Sequence, residues 1–362
     1  MTFHSITLTS LALASVCAAA PVFAQAPTYR VTDLNAAPGA ATCVATAVND
    51  AGVTVGACGE DILSNQGAAK WTGQSMTNLG KLPGGNYAGA TAINALGVVI
   101  GDGDTGDFQP RPFVIVRGKM INVDPQGGAN MHVVGLMDNG TIFGNYAKGL
   151  SGNTSSWQPV YYKEEKPGRY RRYELPRVPG GTSSANGAYL SASNRGGQAA
   201  GAVQNSLFGQ KGAFWNNDAK HTVTVLEPLA GAVQSFAWGI NDFGQAVGGS
   251  YIPFVGDRAS LWSNDNAHSP VDLGTLAGDV ASTAFAINTS GQVVGISRDA
   301  TGGTRAFLYQ DGSMLDLATL VAPEDGVWSI DAVFAINNAG QIVALGRSNG
   351  RWASVLLTPV VQ

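Results

Sequence analysis

Short apolar runs separated by polar turns recur along the chain from residue 29 onward, and one turn repeats seven times. It reads VNDAG ending at Gly52, INALG at Gly97, LMDNG at Gly140, SNRGG at Gly197, INDFG at Gly244, INTSG at Gly291 and INNAG at Gly340. Six copies place Asn three residues before the Gly (Asn49, Asn94, Asn194, Asn241, Asn288 and Asn337), and Met137 is the exception. Asn suits the first position of a type I turn, where its side chain bonds the backbone two residues on, and Gly suits the fourth. β-Branched and apolar residues flank each turn, as in Phe285-Ala286-Ile287 and Val293-Val294, so each unit is expected to open with a β-hairpin. A second Gly follows four residues later at Gly56, Gly101, Gly144, Gly201, Gly248 and Gly295, with Ala344 in the last copy. Gly inside a strand marks a bulge or a close backbone approach.

A third apolar run follows in every unit, at 68–71, 113–116, 160–162, 213–215, 259–262, 306–309 and 353–357. A fourth appears at 76–79, 120–123, 170–175, 223–226, 271–273 and 314–317, and the seventh unit has none because the chain ends. The missing run lies at the other terminus, where residues 29–34 resemble the fourth runs at 270–273 and 313–317. Four strands in a 43- to 57-residue interval is the period of a propeller blade. The expectation is an all-β, seven-bladed β-propeller of four-stranded blades, with the N-terminal strand completing the last blade and leaving no unpaired end.

Composition fits this reading. Gly is abundant at 48 residues, and charged residues make up only 13% of the 362. Residues 1–24 carry no Lys, Arg, Asp or Glu and end Val22-Phe23-Ala24, the pattern of a signal peptide cleaved after Ala24. That predicts one propeller domain over 25–362 in a secreted or periplasmic protein. With 21 basic against 25 acidic residues, the net charge of −4 gives no footprint for nucleic acid. No later segment approaches the ~20 apolar residues of a membrane helix. A monomer is expected.

The combined motif A-x-x-I-N-x-x-G-Q-x-V-G, then A-F-L-x-x-D-G and D-L-x-T-L, resembles the bacterial extracellular HAF repeat. Its clearest copy contains Ile287-Asn288, Gly291-Gln292-Val293-Val294-Gly295, Arg305-Ala306-Phe307-Leu308 and Asp316-Leu317. The His of the naming tripeptide is replaced by Arg305 here and by Gly212 in another copy. The resemblance implies an exported repeat protein without an established activity and supplies no catalytic residues.

Candidate chemistry is sparse. Cys43 and Cys58 lie in the first hairpin; with Val48 facing Val53 in an unbroken register they fall opposite one another, as a cross-strand disulfide or a pair of buried thiols. Asp102, Asp104 and Asp107 sit on one Gly-rich loop, as weak candidates for a structural calcium site or as a solvated loop. Unit three carries an insertion around Tyr161–Tyr173 in which aromatics alternate with Lys and Arg, a pattern that can stack on sugars or bases or simply solubilise a long hairpin. His132, His221 and His268 fall at unrelated positions, and no catalytic motif is present, so no catalytic residue is assigned and no cofactor is expected beyond that calcium.

In a propeller the loops entering each first strand share a face with those joining second to third strands. This loop face gathers Asn86, Tyr87, Asp102, Asp104, Asp107, Asp279, Glu324 and Asp325 as candidate ligand-binding residues, along with the loops at 126–128 and 179–182. The Asn-x-x-Gly turns fall on the opposite face, where their regularity reads as turn chemistry. Two functions remain: a noncatalytic scaffold binding an extracellular protein, glycan or envelope component, or a hydrolase or lyase acting on an extracellular polysaccharide or peptide.

Overall fold

The computed structural model describes residues 26–36, 42–59, 66–125, 130–147, 157–177, 187–205, 209–265 and 267–360. The signal peptide read in 1–24 and the loops at 126–128 and 179–182 lie outside the described residues. Seven four-stranded antiparallel sheets form a ring, a seven-bladed β-propeller. The first strands of blades 1 to 7 are Thr42–Val48, Ala88–Ile93, Met131–Leu136, Ala188–Ser193, Gln234–Ile240, Ala281–Ile287 and Ser329–Ile336. Each touches the first strand of the next blade, and that of blade 7 touches that of blade 1.

The N-terminal strand Tyr29–Asp33 is the outermost strand of blade 7, antiparallel to Arg351–Pro359, with Tyr29 opposite Pro359 and Asp33 opposite Val355. Closure thus follows the strand count. Tyr29 and Leu34 are fully buried, and the Tyr29 carbonyl accepts from the Ala322 amide at 2.8 Å.

The hairpin register differs from a straight count at one point. Past the turn, Val48 pairs with Thr54 rather than Val53; Thr46 is then bulged out, and from Ala45 opposite Gly56 the pairing reaches Cys43 opposite Cys58. The bulge restores the cysteine register, and the two sulfurs are bonded, with Cα atoms 4.1 Å apart. The same bulge recurs in every first strand, at Thr46, Thr91, Val134, Ser191, Trp238, Phe285 and Phe334.

The second glycine explains itself here. A Cβ at Gly248 would stand 1.9 Å from the Phe236 carbonyl oxygen, and one at Gly56 would stand 2.0 Å from that of Val44. The bulged strand presses against its neighbour at this point, which a side chain would prevent. Blade 7, which carries Ala344 instead, has a second bulge at Asp331 that re-registers the pairing.

The core is divided among the blade interfaces. Seven apolar clusters are found among the described residues, one for each pair of neighbouring blades, including that between blades 7 and 1 around Leu34, Trp71, Val343 and Leu356. Third-strand tryptophans staple three of these interfaces. Trp71, Trp215 and Trp262 are buried and donate their indole N–H to the carbonyls of Leu34, Pro176 and Glu227, which follow the fourth strand of the preceding blade. Leu34 occupies this place for blade 7, so the N-terminal segment meets its neighbour as an ordinary fourth strand does. No helix among the described residues is long and apolar enough to cross a membrane.

Candidate functional site

The turn face is organised by its asparagines. Asn49 Oδ1 accepts from the amides of Ala51 and Val53, as turn chemistry requires, while its Nδ2 donates to the Asn94 carbonyl of the next blade at 3.1 Å. Asn94 reaches Met137, and Asn194 reaches Asn241, Asn241 reaches Asn288, Asn288 reaches Asn337 and Asn337 reaches Asn49 in the same manner, at 2.8–3.3 Å. The result is a belt of amide bonds around the channel, interrupted where Met137 supplies no amide to Asn194. Sequence reading assigned these residues to their turns and missed the belt, because each Nδ2 partner lies a full repeat away.

Arg195, just past that interruption, extends its guanidinium to the carboxylate of Asp50 in blade 1 and lies 3.8 Å from Asp242 in blade 5. Burial pushes the Asp50 carboxyl up, but donors from Asn338 and Arg195 bring it below the usual carboxylate range. The channel mouth here encloses about 220 Å³ and is lined by residues of all seven blades. Arg195 ties three of those blades together across it.

On the loop face the eight candidate residues are found in separate bonded groups. Asp104 is fully buried and accepts from the amides of Asn86, Tyr87, Gly106 and Phe108 and from Asn86 Nδ2, at 2.6–3.1 Å. Burial raises its pKa, but those bonds outweigh burial and hold the carboxyl below its ordinary value. Asp107 pairs with Arg111 through both oxygens at 2.6 and 2.8 Å, which lowers its pKa to about 2. Asp102 points away from both, to His132 Nδ1 at 3.0 Å and the Val133 amide at 3.1 Å. The three carboxylates therefore do not converge on a calcium position, and among the described residues no group of three His, Cys, Asp or Glu side chains is disposed to hold a metal ion.

Asp279 receives Arg305 at 2.7 Å, and Arg305 also reaches Asp316. Arg305, on the third strand of blade 6, is thus an anchor between the loop entering that blade and its outer strand. Asp325 accepts from Arg30 Nε and the Val31 amide at 2.9 and 2.8 Å, and Glu324 lies 3.3 Å from Arg30. These two acids fasten the N-terminal strand to the ring.

Asp102 and His132 are the one acid–base pair among the candidates. Asp102 is largely buried in blade 2, whereas the His132 side chain on the first strand of blade 3 is 42% exposed, its ring 5.5 Å from that of Trp157. Burial pushes the Asp102 carboxyl up, and the bond to Asp102 pushes the His132 imidazole up. Among the described residues the other two histidines are engaged within the fold: His221 packs on Tyr161 of blade 3 at 5.2 Å, and His268 Nδ1 lies 3.1 Å from the Ser263 carbonyl.

Sequence reading also missed an exposed apolar set on the loop face of blades 5 and 6: Val233, Tyr251, Phe254, Val255 and Val280. They sit on neighbouring loops of the two blades. The Val233 amide bonds the Tyr251 carbonyl at 2.9 Å, and a Cβ on Gly256 would lie 3.3 Å from that of Ala281, next to Val280. Phe254 is fully exposed and holds φ at 65°, a conformation bulky side chains rarely adopt. In the unit-three hairpin, by contrast, the aromatics are already partnered: Tyr161 stacks on Tyr173 at 5.0 Å, and Lys163 and Arg171 cover those two rings.

No protein-family model matches the chain, and no curated protein is significantly similar in sequence. Solved structures share the fold. The chain is similar to a prolyl endopeptidase at 11% identity and a TM-score of 0.57, covering 92% of this chain and 51% of that one. It is also similar to YCF48, solved bound to D1 peptide, at 12% identity and a TM-score of 0.53, covering 94% and 98% of the two chains, and to the acylaminoacyl peptidase of Pyrococcus horikoshii at 8% identity and a TM-score of 0.54, covering 89% and 52%. The chain spans about half the length of these peptidases. At such identities the likeness shows the fold alone.

Proposed function

We propose that this protein is an exported, noncatalytic propeller scaffold that binds a protein partner through the loop face of blades 5 and 6. The observation that carries the reading is the exposed apolar set Val233, Tyr251, Phe254, Val255 and Val280, gathered on the neighbouring loops of blades 5 and 6. Clustered apolar exposure on a rigid ring marks an interaction site, and aromatic residues are the usual anchors of such surfaces. Phe254 is held at a strained turn in full contact with water, a cost that binding a partner accounts for. The candidate acids, meanwhile, are occupied by bonds within the fold. YCF48, which shares the propeller fold over nearly the whole of both chains, was solved bound to D1 peptide, and that agrees with peptide binding on a propeller of this kind.

Peptides selected from a random display library against the purified protein provide the test. Binding of the selected peptides is expected to weaken at least tenfold in Phe254→Ser and Tyr251→Ser, with unfolding temperatures unchanged because both side chains are exposed. Selected peptides that bind both variants as tightly as the parent would contradict the assignment.

The second reading, a hydrolase or lyase, draws on Asp102 and His132 alone. A carboxylate that orients an exposed imidazole is half of a general-base arrangement.

A further inference from the structure

The outer hairpin of blade 3 pairs the strand Trp157–Lys166, at ten residues the longest among the described residues, with Arg169–Glu174. Its tip leans over the outer hairpin of blade 2: a Cβ at Gly168 would lie 3.5 Å from Ile121 Cδ1. Between them runs a groove of about 710 Å³, lined by Val116, Arg117, Lys119 and Ile121 on one wall and by residues 164–168 on the other. That volume is in the range of small-molecule clefts, ~300–1,000 Å³.

The charges in the groove are unequally spent. Glu164 accepts from the Gly168 amide at 2.6 Å and closes its own turn, and Glu165 takes Arg171 at 3.3 Å and the Tyr173 hydroxyl at 3.2 Å. Arg117, Lys119 and Lys166 are exposed and, among the described residues, have no ion-pair partner. A protein of net charge −4 thus carries a groove whose two walls each present unpaired cations beside apolar surface, Val116 and Ile121 on one and Pro167 on the other.

We propose that this groove binds an acidic polysaccharide whose sugar rings carry carboxylates. A uronate chain complements it, since pyranose rings have apolar faces to lie against Val116, Ile121 and Pro167 and carboxylates along their edges to meet Arg117 and Lys119 on one side and Lys166 on the other. The site lies on the outer rim between blades 2 and 3, apart from the loop face of blades 5 and 6, so neither assignment depends on the other.

Calorimetric titration at low salt with a heptameric oligogalacturonate tests it, alongside neutral maltoheptaose and a heptaglutamate peptide. The uronate is expected to bind, more weakly as salt is added. The double variant Lys119→Glu, Lys166→Glu is expected to lose at least tenfold in affinity at an unchanged unfolding temperature. Lys220→Glu, of the same sign and outside the groove, and Phe254→Ser are both expected to stay within twofold of the parent. Absence of uronate binding, or equal affinity in the double variant, overturns the site; heptaglutamate or maltoheptaose binding as tightly as the uronate overturns the polysaccharide assignment.

Discussion

Asp102 and His132 show what one residue pair contributes and how it responds to pH. His132 carries a proton more firmly than free imidazole because Asp102 accepts from its Nδ1 at 3.0 Å. The stability this adds is complete below the unfolded pKa of about 6.5 and is lost as pH rises through the higher folded value. Asp102 is also shifted upward, by burial, so its own contribution likewise declines with rising pH, beginning near the ordinary carboxylate value. NMR titration of the His132 ring is therefore expected to give a midpoint above 6.5 that drops in Asp102→Asn; identical midpoints in the two proteins would refute the pairing. The pair was hidden in the sequence because Asp102 and His132 belong to different blades, and a period that aligns equivalent positions does not show which unlike positions meet across an interface.

At the scale of the element, one hairpin design repeated seven times performs two tasks. The Asn-x-x-Gly turn and the Gly that accommodates the bulge were legible, because both constraints are local: an Asx turn needs a short amide side chain, and the bulged strand leaves no room for a Cβ. The bulge shifts the register by one residue, so straight counting placed Val53 rather than Thr54 opposite Val48, while the disulfide pairing of Cys43 with Cys58 survives because the bulge restores it. The second task, the belt of Asn amides from blade to blade, was not legible, since nothing in a turn motif says where the spare Nδ2 points. Asn337 is buried, bonds the Gln341 amide and donates to the Asn49 carbonyl, closing the belt between blades 7 and 1. Asn337→Ala leaves the Gln341 amide without its acceptor and removes the blade-to-blade bond to the Asn49 carbonyl, which keeps only the Gly52 amide, and is expected to cost about 1–3 kcal/mol in urea unfolding. A loss below about 0.5 kcal/mol would mean that the belt is incidental.

The whole molecule is a ring whose core is shared out among seven interfaces, so its integrity depends on every blade being complete. The architecture was the most legible property of the chain: a count of apolar runs left one strand missing at the end and one spare at the start, and the two are joined. The sites were least legible. The candidate acids Asp104, Asp107, Asp279, Glu324 and Asp325 were visible as carboxylates on loops, but each is taken by a local donor or an arginine, while the exposed set around Phe254 and the groove beside Lys119 arise from packing between neighbouring units. Closure by the N-terminal strand is the central claim, and it rests on pairing from Tyr29 to Asp33, on the Trp71 bond to Leu34, and on the bonds of Arg30 and Val31 to Asp325. Thermal unfolding of a chain lacking residues 25–35, set against the chain that retains them, measures it most directly. The closed ring predicts a single unfolding transition that moves down by well over five degrees, because the deletion exposes the edge of blade 7 and opens the buried interface with blade 1, whereas an unchanged midpoint would show that the ring stands without its N-terminal strand.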